Sequence, residues 1–397
     1  MAGTIYGLPS DGSLPEGLED NFPFAKASRL AVNPWVSASY RAKLSTLGGL
    51  TNGTDTAAMT RVSNVAPYRM TEVVVSYSNS YASGSRETPG ANPITVRAAL
   101  EYEGIFYPLF LRGDRDAVVA PGALAEFEPV FVDIPAGATY YVRTLVTVEA
   151  GGKWPFGVHT GAAYLGDGVE QGVGITDKTT SGTVTESNNY AYGPAAIRAR
   201  RIDFMPDVVS IGDSIAYGSG DSIDRGTHVR AFAGILPHRN LGYPGAQAQE
   251  FVPRYAGLRL RLARNATHWL VSFGTNDISA GKDAATVQNN LRAVYQLGVD
   301  LGVEVWAATL PPRTTSTDSW ASAAGQTVAA TEAVRVAVND WIRTTPAPLA
   351  GYFDTADAWE TARNSGLWKN GLTTDGVHPN GDGADAGAVV IDPESFV

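Results

Sequence analysis

Cysteine is absent from this chain of 397 residues, which excludes a disulfide framework and any thiolate metal site and leaves the redox compartment open. Positive charge is short as well. The 30 Lys and Arg residues face 40 Asp and Glu, a formal net charge of −10, which repels phosphate backbones and lacks the basic footprint of nucleic-acid binding. No nucleic acid is expected as a partner. Long apolar runs are missing too, since none approaches the roughly 20 residues that span a bilayer, so no membrane insertion is expected. Residues 1–24 lack the basic start and apolar centre of a secretory signal. A chain of this kind fits the cytoplasm or a phage particle released by lysis. Histidine is scarce, with five copies at no metal-binding spacing. Asp382-Gly383-Ala384-Asp385 lacks the regular oxygen ligands and terminal Glu of a calcium loop. No metal and no cofactor are expected.

What is present is an ordinary globular composition, 44% hydrophobic and 18% charged, at a length that suits two domains. Residues 1 to about 65 read as loops and short strands. Beyond Met70 the pattern turns to strands at 71–77, 106–112, 128–134 and 139–149, separated by Pro/Gly turns. Between them residues 94–102 alternate, with Ile94, Val96, Ala98, Leu100 and Tyr102 on one face. Strands at short spacing without helices predict an antiparallel sandwich or jelly roll over residues 1–200. Residues 150–200 are rich in Gly, Thr, Ser and Asn, and Tyr192-Gly193-Pro194 reads as a hinge or a last excursion of the first domain before a boundary near Arg201. From there strands at 207–211, 239–242, 268–273, 303–309 and 351–354 alternate with helices near 227–236, 247–264, 284–301 and 326–343. Val287, Leu291, Val294, Gly298 and Leu301 share one face of the 284–301 helix. Five apolar strands alternating with helices predict a five-stranded parallel sheet covered on both faces over residues 201–397, with the ligand site beyond the strands' carboxyl ends.

Four polar blocks fall at those ends. Gly212-Asp213-Ser214 follows the first strand, Gly245 the second, and Gly274-Thr275-Asn276-Asp277 the third, while Asp375-Gly376-Val377-His378 lies after the last. Their order and spacing resemble the SGNH/GDSL hydrolase family of serine esterases over about residues 205–385. The resemblance implies an α/β/α flavodoxin-like fold. The chemistry of each residue agrees. Ser214 is a weak nucleophile that needs a base, and the His378 imidazole suits that role. Asp375 would hold the ring's tautomer and stabilise the imidazolium. The backbone N–H groups of Ser214 and Gly245 and the Asn276 amide would receive the charge that develops on the carbonyl oxygen. Asp213 and Asp277 are expected to fix their loops.

Each block has a plainer reading when taken alone. Gly-Asp-Ser is a common turn, the Asn276 block could be a helix cap, and Gly376 with Pro379 suits an ordinary turn. The Gly-x-Ser-x-Gly elbow of α/β-hydrolases is a near match, but its serine does not follow the first strand of its domain and its acid does not sit three residues before the histidine. The family's long closing helix is expected to be short here, because Gly381-Asp382-Gly383 and Pro393 interrupt it. Loop 311–320 should border the cleft, with Arg313 and Trp320 as candidate substrate contacts. Without an apolar lid, the expected substrate is a small ester or an acetylated glycan, with the sandwich as an accessory module for carbohydrate. The competing expectation is a glycan-binding or virion structural protein whose hydrolase-like domain is idle.

Overall fold

The computed structural model describes residues 34–45, 49–84, 86–161, 166–200, 205–222 and 225–397. The boundary expected near Arg201 and the reading of residues 1–33 lie outside the described residues. In the N-terminal half one antiparallel sheet runs Trp35–Ser37, Ala196–Arg200, Met70–Ser78 and Val130–Ile134, with Leu124–Glu126 also paired to Met70–Ser78. The facing sheet runs Gly168–Gly172, Ala57–Val65, Thr139–Thr147, Ile94–Tyr102 and Ile105–Pro108, with Ala117–Val119 joining Ile94–Tyr102. Period-two alternation sends Val73, Val75 and Tyr77 from one sheet, and Val96, Ala98, Val142 and Val146 from the other, into one core. The Tyr77 hydroxyl meets Thr144 Oγ1 at 2.7 Å across the layers, which satisfies a phenol buried among apolar neighbours.

The described residues of the stretch 150–200 are more ordered than their composition suggests. Tyr192 is buried, stacks on Tyr77 at 5.9 Å and donates to the Ser78 carbonyl at 3.0 Å, so Tyr192-Gly193-Pro194 is an anchored segment and not a hinge. Ala196–Arg200 follows it as an inner strand of the first sheet.

The C-terminal sheet is parallel throughout. Its order is His238–Asn240, Val208–Gly212, His268–Ser272, Glu304–Ala308, Gly351–Phe353, the 2-1-3-4-5 order of a flavodoxin-like fold. Alternate residues feed two layers. Val209, Ile211, Trp269, Val271, Val305 and Ala307 pack under the helices Pro253–Ala263, Ala284–Asp300 and Glu332–Arg343, whereas Val208, Leu270, Ala308 and Phe353 pack against Phe232, Ile391 and Phe396. Each Val, Leu, Ile and Phe side chain among them contributes about 1.5–3 kcal/mol by leaving water. Asp283 caps the Ala284–Asp300 helix by accepting from the Thr286 N–H at 2.8 Å. Val287, Leu291, Val294 and Gly298 are buried as expected, but Leu301 lies just past the helix end and is exposed.

Three helices are shorter than the sequence predicts, and the first of them, expected over 227–236, is Thr227–Phe232. The 247–264 segment divides into a 3-10 turn, Ala248–Glu250, and the helix Pro253–Ala263, itself broken at Ala256 (φ −135°, ψ 32°). Residues Gln326–Val328 pair with Thr314–Ser316 as a hairpin, and the helix begins only at Glu332. The closing helix, Gly381–Ala388, has eight residues and is short as expected. The two halves share a core, because Leu44, Ala82, Leu124, Ala195 and Ala196 belong to the same apolar cluster as Val209, Leu241 and Tyr243. Among the described residues no helix is long and apolar enough to cross a membrane.

Candidate active site

The strand Val208–Gly212 is buried along its whole length and ends in a single helical turn, Ser214–Tyr217. Asp213 caps that turn, its Oδ1 accepting from the Ile215 N–H at 2.9 Å. Ser214 thereby sits at the first position of that turn, two residues beyond the strand, with its Oγ 2.8 Å from His378 Nε2. His378 Nδ1 lies 2.6 Å from Asp375 Oδ2.

The spacing of three residues works because the acid folds back on its own loop. Asp375 Oδ1 accepts from the backbone N–H groups of Val377 and His378, both at 2.8 Å, which leaves Oδ2 aimed at the ring. Thr373 braces the turn: its hydroxyl donates to the His378 carbonyl at 2.8 Å and accepts from the Gly376 N–H at 3.0 Å. Gly376 adopts φ 74°, and a Cβ there would stand 2.1 Å from the Thr314 carbonyl oxygen and 2.8 Å from the Trp320 ring, so no larger residue fits. The Gly376 carbonyl accepts from the Thr314 N–H at 3.0 Å and from Trp368 Nε1 at 3.2 Å. Beneath lie Ile215, Trp359 and Trp368, a compact apolar floor. Partial burial pushes the Asp375 carboxyl up, but the bonds from the His378 ring and the two backbone N–H groups outweigh it and hold its pKa below the ordinary value.

Gly245 takes φ 81° in the turn after His238–Asn240, a conformation that favours glycine. Asn276 stands in the short helix Thr275–Ser279 and donates from Nδ2 to the Ala246 carbonyl at 3.1 Å, so the structure brings the second and third blocks side by side. Asp277, fully buried, accepts from the Ala248 N–H at 2.9 Å and from Lys282 and Asn290 at 3.2 Å. Loop fixing by Asp213 and Asp277 is thus visible in the hydrogen bonds of both. One feature of Asp213 gave no sequence signal. Its Oδ2 is buried without a hydrogen-bond partner among the described residues, and burial, partly offset by the Ile215 N–H and reinforced by the Asp277 charge, pushes its pKa up to about 7.

Arg313 and Trp320 sit on the loop after Glu304–Ala308, and Arg313 bonds out of that loop whereas Trp320 Nε1 bonds within it. Arg313 donates to Ser279 Oγ at the end of the helix that carries Asn276. Trp320 donates from Nε1 to Thr314 Oγ1 at 2.9 Å and packs half-buried against the floor under Gly376. A hydroxyl bonded to an imidazole whose far nitrogen is held by a carboxylate is an arrangement able to move a proton from oxygen to nitrogen.

Residues 210–386 match the model of the GDSL-like Lipase/Acylhydrolase family. This half of the chain carries a GDSL-like acylhydrolase domain. The reaction class of a GDSL-like acylhydrolase is the hydrolysis of carboxylic esters, and the protein is an ester hydrolase. Among solved structures, a member of the lipolytic protein G-D-S-L family from Veillonella parvula is 21% identical, with 46% of this chain and 93% of that one covered and a TM-score of 0.37. A carbohydrate acetylesterase family member from Sinorhizobium meliloti is 15% identical over 47% of this chain and 96% of that one, TM-score 0.35. A Bacillus subtilis protein is 16% identical over 83% of this chain and 77% of that one, TM-score 0.34. No curated protein matches the chain.

Proposed function

We propose that the protein hydrolyses short-acyl esters, in particular O-acetyl groups on a carbohydrate, with Ser214 as nucleophile, His378 as general base and acid, and Asp375 as its orienting partner. The observation that carries this reading is the unbroken line from Ser214 Oγ through the His378 ring to Asp375 Oδ2, at 2.8 and 2.6 Å. Ser214 Oγ attacks the ester carbonyl while its proton passes to His378 Nε2. Asp375 stabilises the imidazolium that forms. The new oxyanion is received by the backbone N–H groups of Ser214 and Gly245 and by the Asn276 amide, which retains a second hydrogen after donating one to Ala246. The alcohol leaves with the proton from His378, and water then releases the acid by the same steps.

Residues 201–397 are the catalytic unit in this reading, and residues 1–200 an accessory module that engages the glycan. An exposed polar edge supports a hydrophilic substrate, since the Thr314–Ser316 and Gln326–Val328 hairpin beside Gly376 leaves Thr315 and Thr327 exposed. Arg313 and Trp320 are the proposed contacts to the alcohol part. A panel of p-nitrophenyl esters of rising chain length, together with acetylated glycans, tests the assignment: turnover should be greatest for acetyl and should include acetate release from glycan. Preference for long acyl chains would contradict it.

A further inference from the structure

We propose that the hairpin formed by Ser80–Ser83 and Arg86–Pro89, in the N-terminal half, is a positioning element for the loop that carries Gly245, with Glu87 as its principal positioning residue. The proposal rests on the assignment of Gly245 and Asn276 as oxyanion donors.

The break at Ala256 is the starting point. A helix that restarts after a break leaves the N–H groups of its new first turn without intrahelical acceptors, and the local sequence Ala256-Gly257-Leu258-Arg259 offers no capping side chain. The acceptor comes from the sandwich. Glu87 takes the Leu258 N–H at 2.7 Å on one oxygen, and the Arg259 N–H at 2.9 Å and Arg259 Nε at 3.3 Å on the other. Arg259 is almost wholly buried, and its guanidinium lies 4.3 Å from the Tyr243 ring. Tyr243 precedes Gly245 by two residues. Its hydroxyl donates to the Ser45 carbonyl at 3.0 Å, and that same carbonyl accepts from the hairpin's Ala82 N–H at 2.9 Å. Further along, Arg86 donates to Glu250 Oε1 at 3.0 Å while Glu250 Oε2 accepts from the Gln247 N–H at 3.3 Å.

The segment 243–250 is therefore held from the N-terminal half at Tyr243, at Glu250 and through the helix behind it. From the opposite side Asn276 and Asp277 hold Ala246 and Ala248. Such a clamp matters to the chemistry because donors to a developing oxyanion act only in register, and a displacement of about 1 Å costs about 100-fold in rate. Glu87 touches no reacting atom. Its removal would free the restarted helix and leave the Arg259 guanidinium facing the Tyr243 ring without its carboxylate, which lets the Gly245 turn shift.

The test is steady-state hydrolysis of p-nitrophenyl acetate by the full chain, comparing wild type with Glu87→Ala, Glu87→Gln and Val96→Ala, with unfolding midpoints measured on each. Glu87→Ala should lower kcat about 10- to 100-fold with KM changed by less than about threefold. Glu87→Gln, which keeps one carbonyl acceptor, should recover part of that loss. Val96→Ala, in the sandwich core and remote from the hairpin, should lower the unfolding midpoint and leave kcat unchanged. If Glu87→Ala does not fold, Arg86→Ala at its half-exposed position carries the test, with a several-fold fall in kcat expected. Wild-type kcat in the folded hairpin variant, or an equal fall in Val96→Ala, overturns the positioning role while leaving the esterase assignment intact. A wild type inert toward every short ester overturns both.

Discussion

Asp213 shows how one residue beside the proposed nucleophile governs stability separately from chemistry. Its folded-state pKa of about 7 lies above the ordinary 3.8. Below 3.8 the carboxyl is protonated in both folded and unfolded chains. As pH rises towards 7 the unfolded chain releases its proton first, so stability is lost across that window and levels off above it, by a few kcal/mol in order of magnitude. Asp213→Asn should flatten this slope and be more stable than wild type at pH 8, as measured by urea denaturation at pH 5 and 8. Parallel pH slopes for the two proteins would contradict the assignment. Asp375 is the opposite case: its lowered pKa comes from bonds that also aim the His378 ring. Asp375→Asn should leave the fold in place and reduce kcat by about 10²- to 10⁴-fold through loss of imidazolium stabilisation and of the correct tautomer. A variant within tenfold of wild type would argue against a triad.

At the scale of elements, the loop 373–378 is the most constrained piece of the site. Gly376→Ala places a methyl against the Thr314 carbonyl and the Trp320 ring in a left-handed backbone. It should cost about 1–2 kcal/mol from backbone conformation alone, with more from the contact, and displace His378. Calorimetry and kcat on the same preparation check both effects. The parts of the fold that were legible in the sequence are those where packing follows local period. Ile94–Tyr102 alternates because one face meets the sandwich core, and the five buried strands of the C-terminal sheet are short apolar runs between helices. The first three blocks were legible for the same reason, since they come soon after strands that could be recognised, whereas the Asp375–His378 block lies well beyond Gly351–Phe353 and was legible from its own Asp-x-x-His spacing. Residues 166–200 were not legible, because their order comes from distant partners. Arg143 reaches across to the carbonyls of Lys178 and Gly182 at 2.7 and 2.8 Å, and Glu170 binds Lys178 and Thr185. The break at Ala256 was hidden likewise, because its cap is a glutamate 171 residues before Leu258.

For the molecule as a whole, the shared apolar cluster and the bonds from Ser45, Arg86 and Glu87 make the two halves one energetic unit. Thermal unfolding of the intact chain should therefore be a single transition, with calorimetric and van't Hoff enthalpies in agreement. Two resolved transitions would show that the halves fold independently. Ser214 is the proposed nucleophile of an ester hydrolase. The most direct test of that role is the release of p-nitrophenol from p-nitrophenyl acetate by wild type and by Ser214→Ala, with circular dichroism confirming that both are folded. Turnover by wild type, with a variant reduced to the background rate, is the result expected; undiminished turnover in folded Ser214→Ala would contradict it.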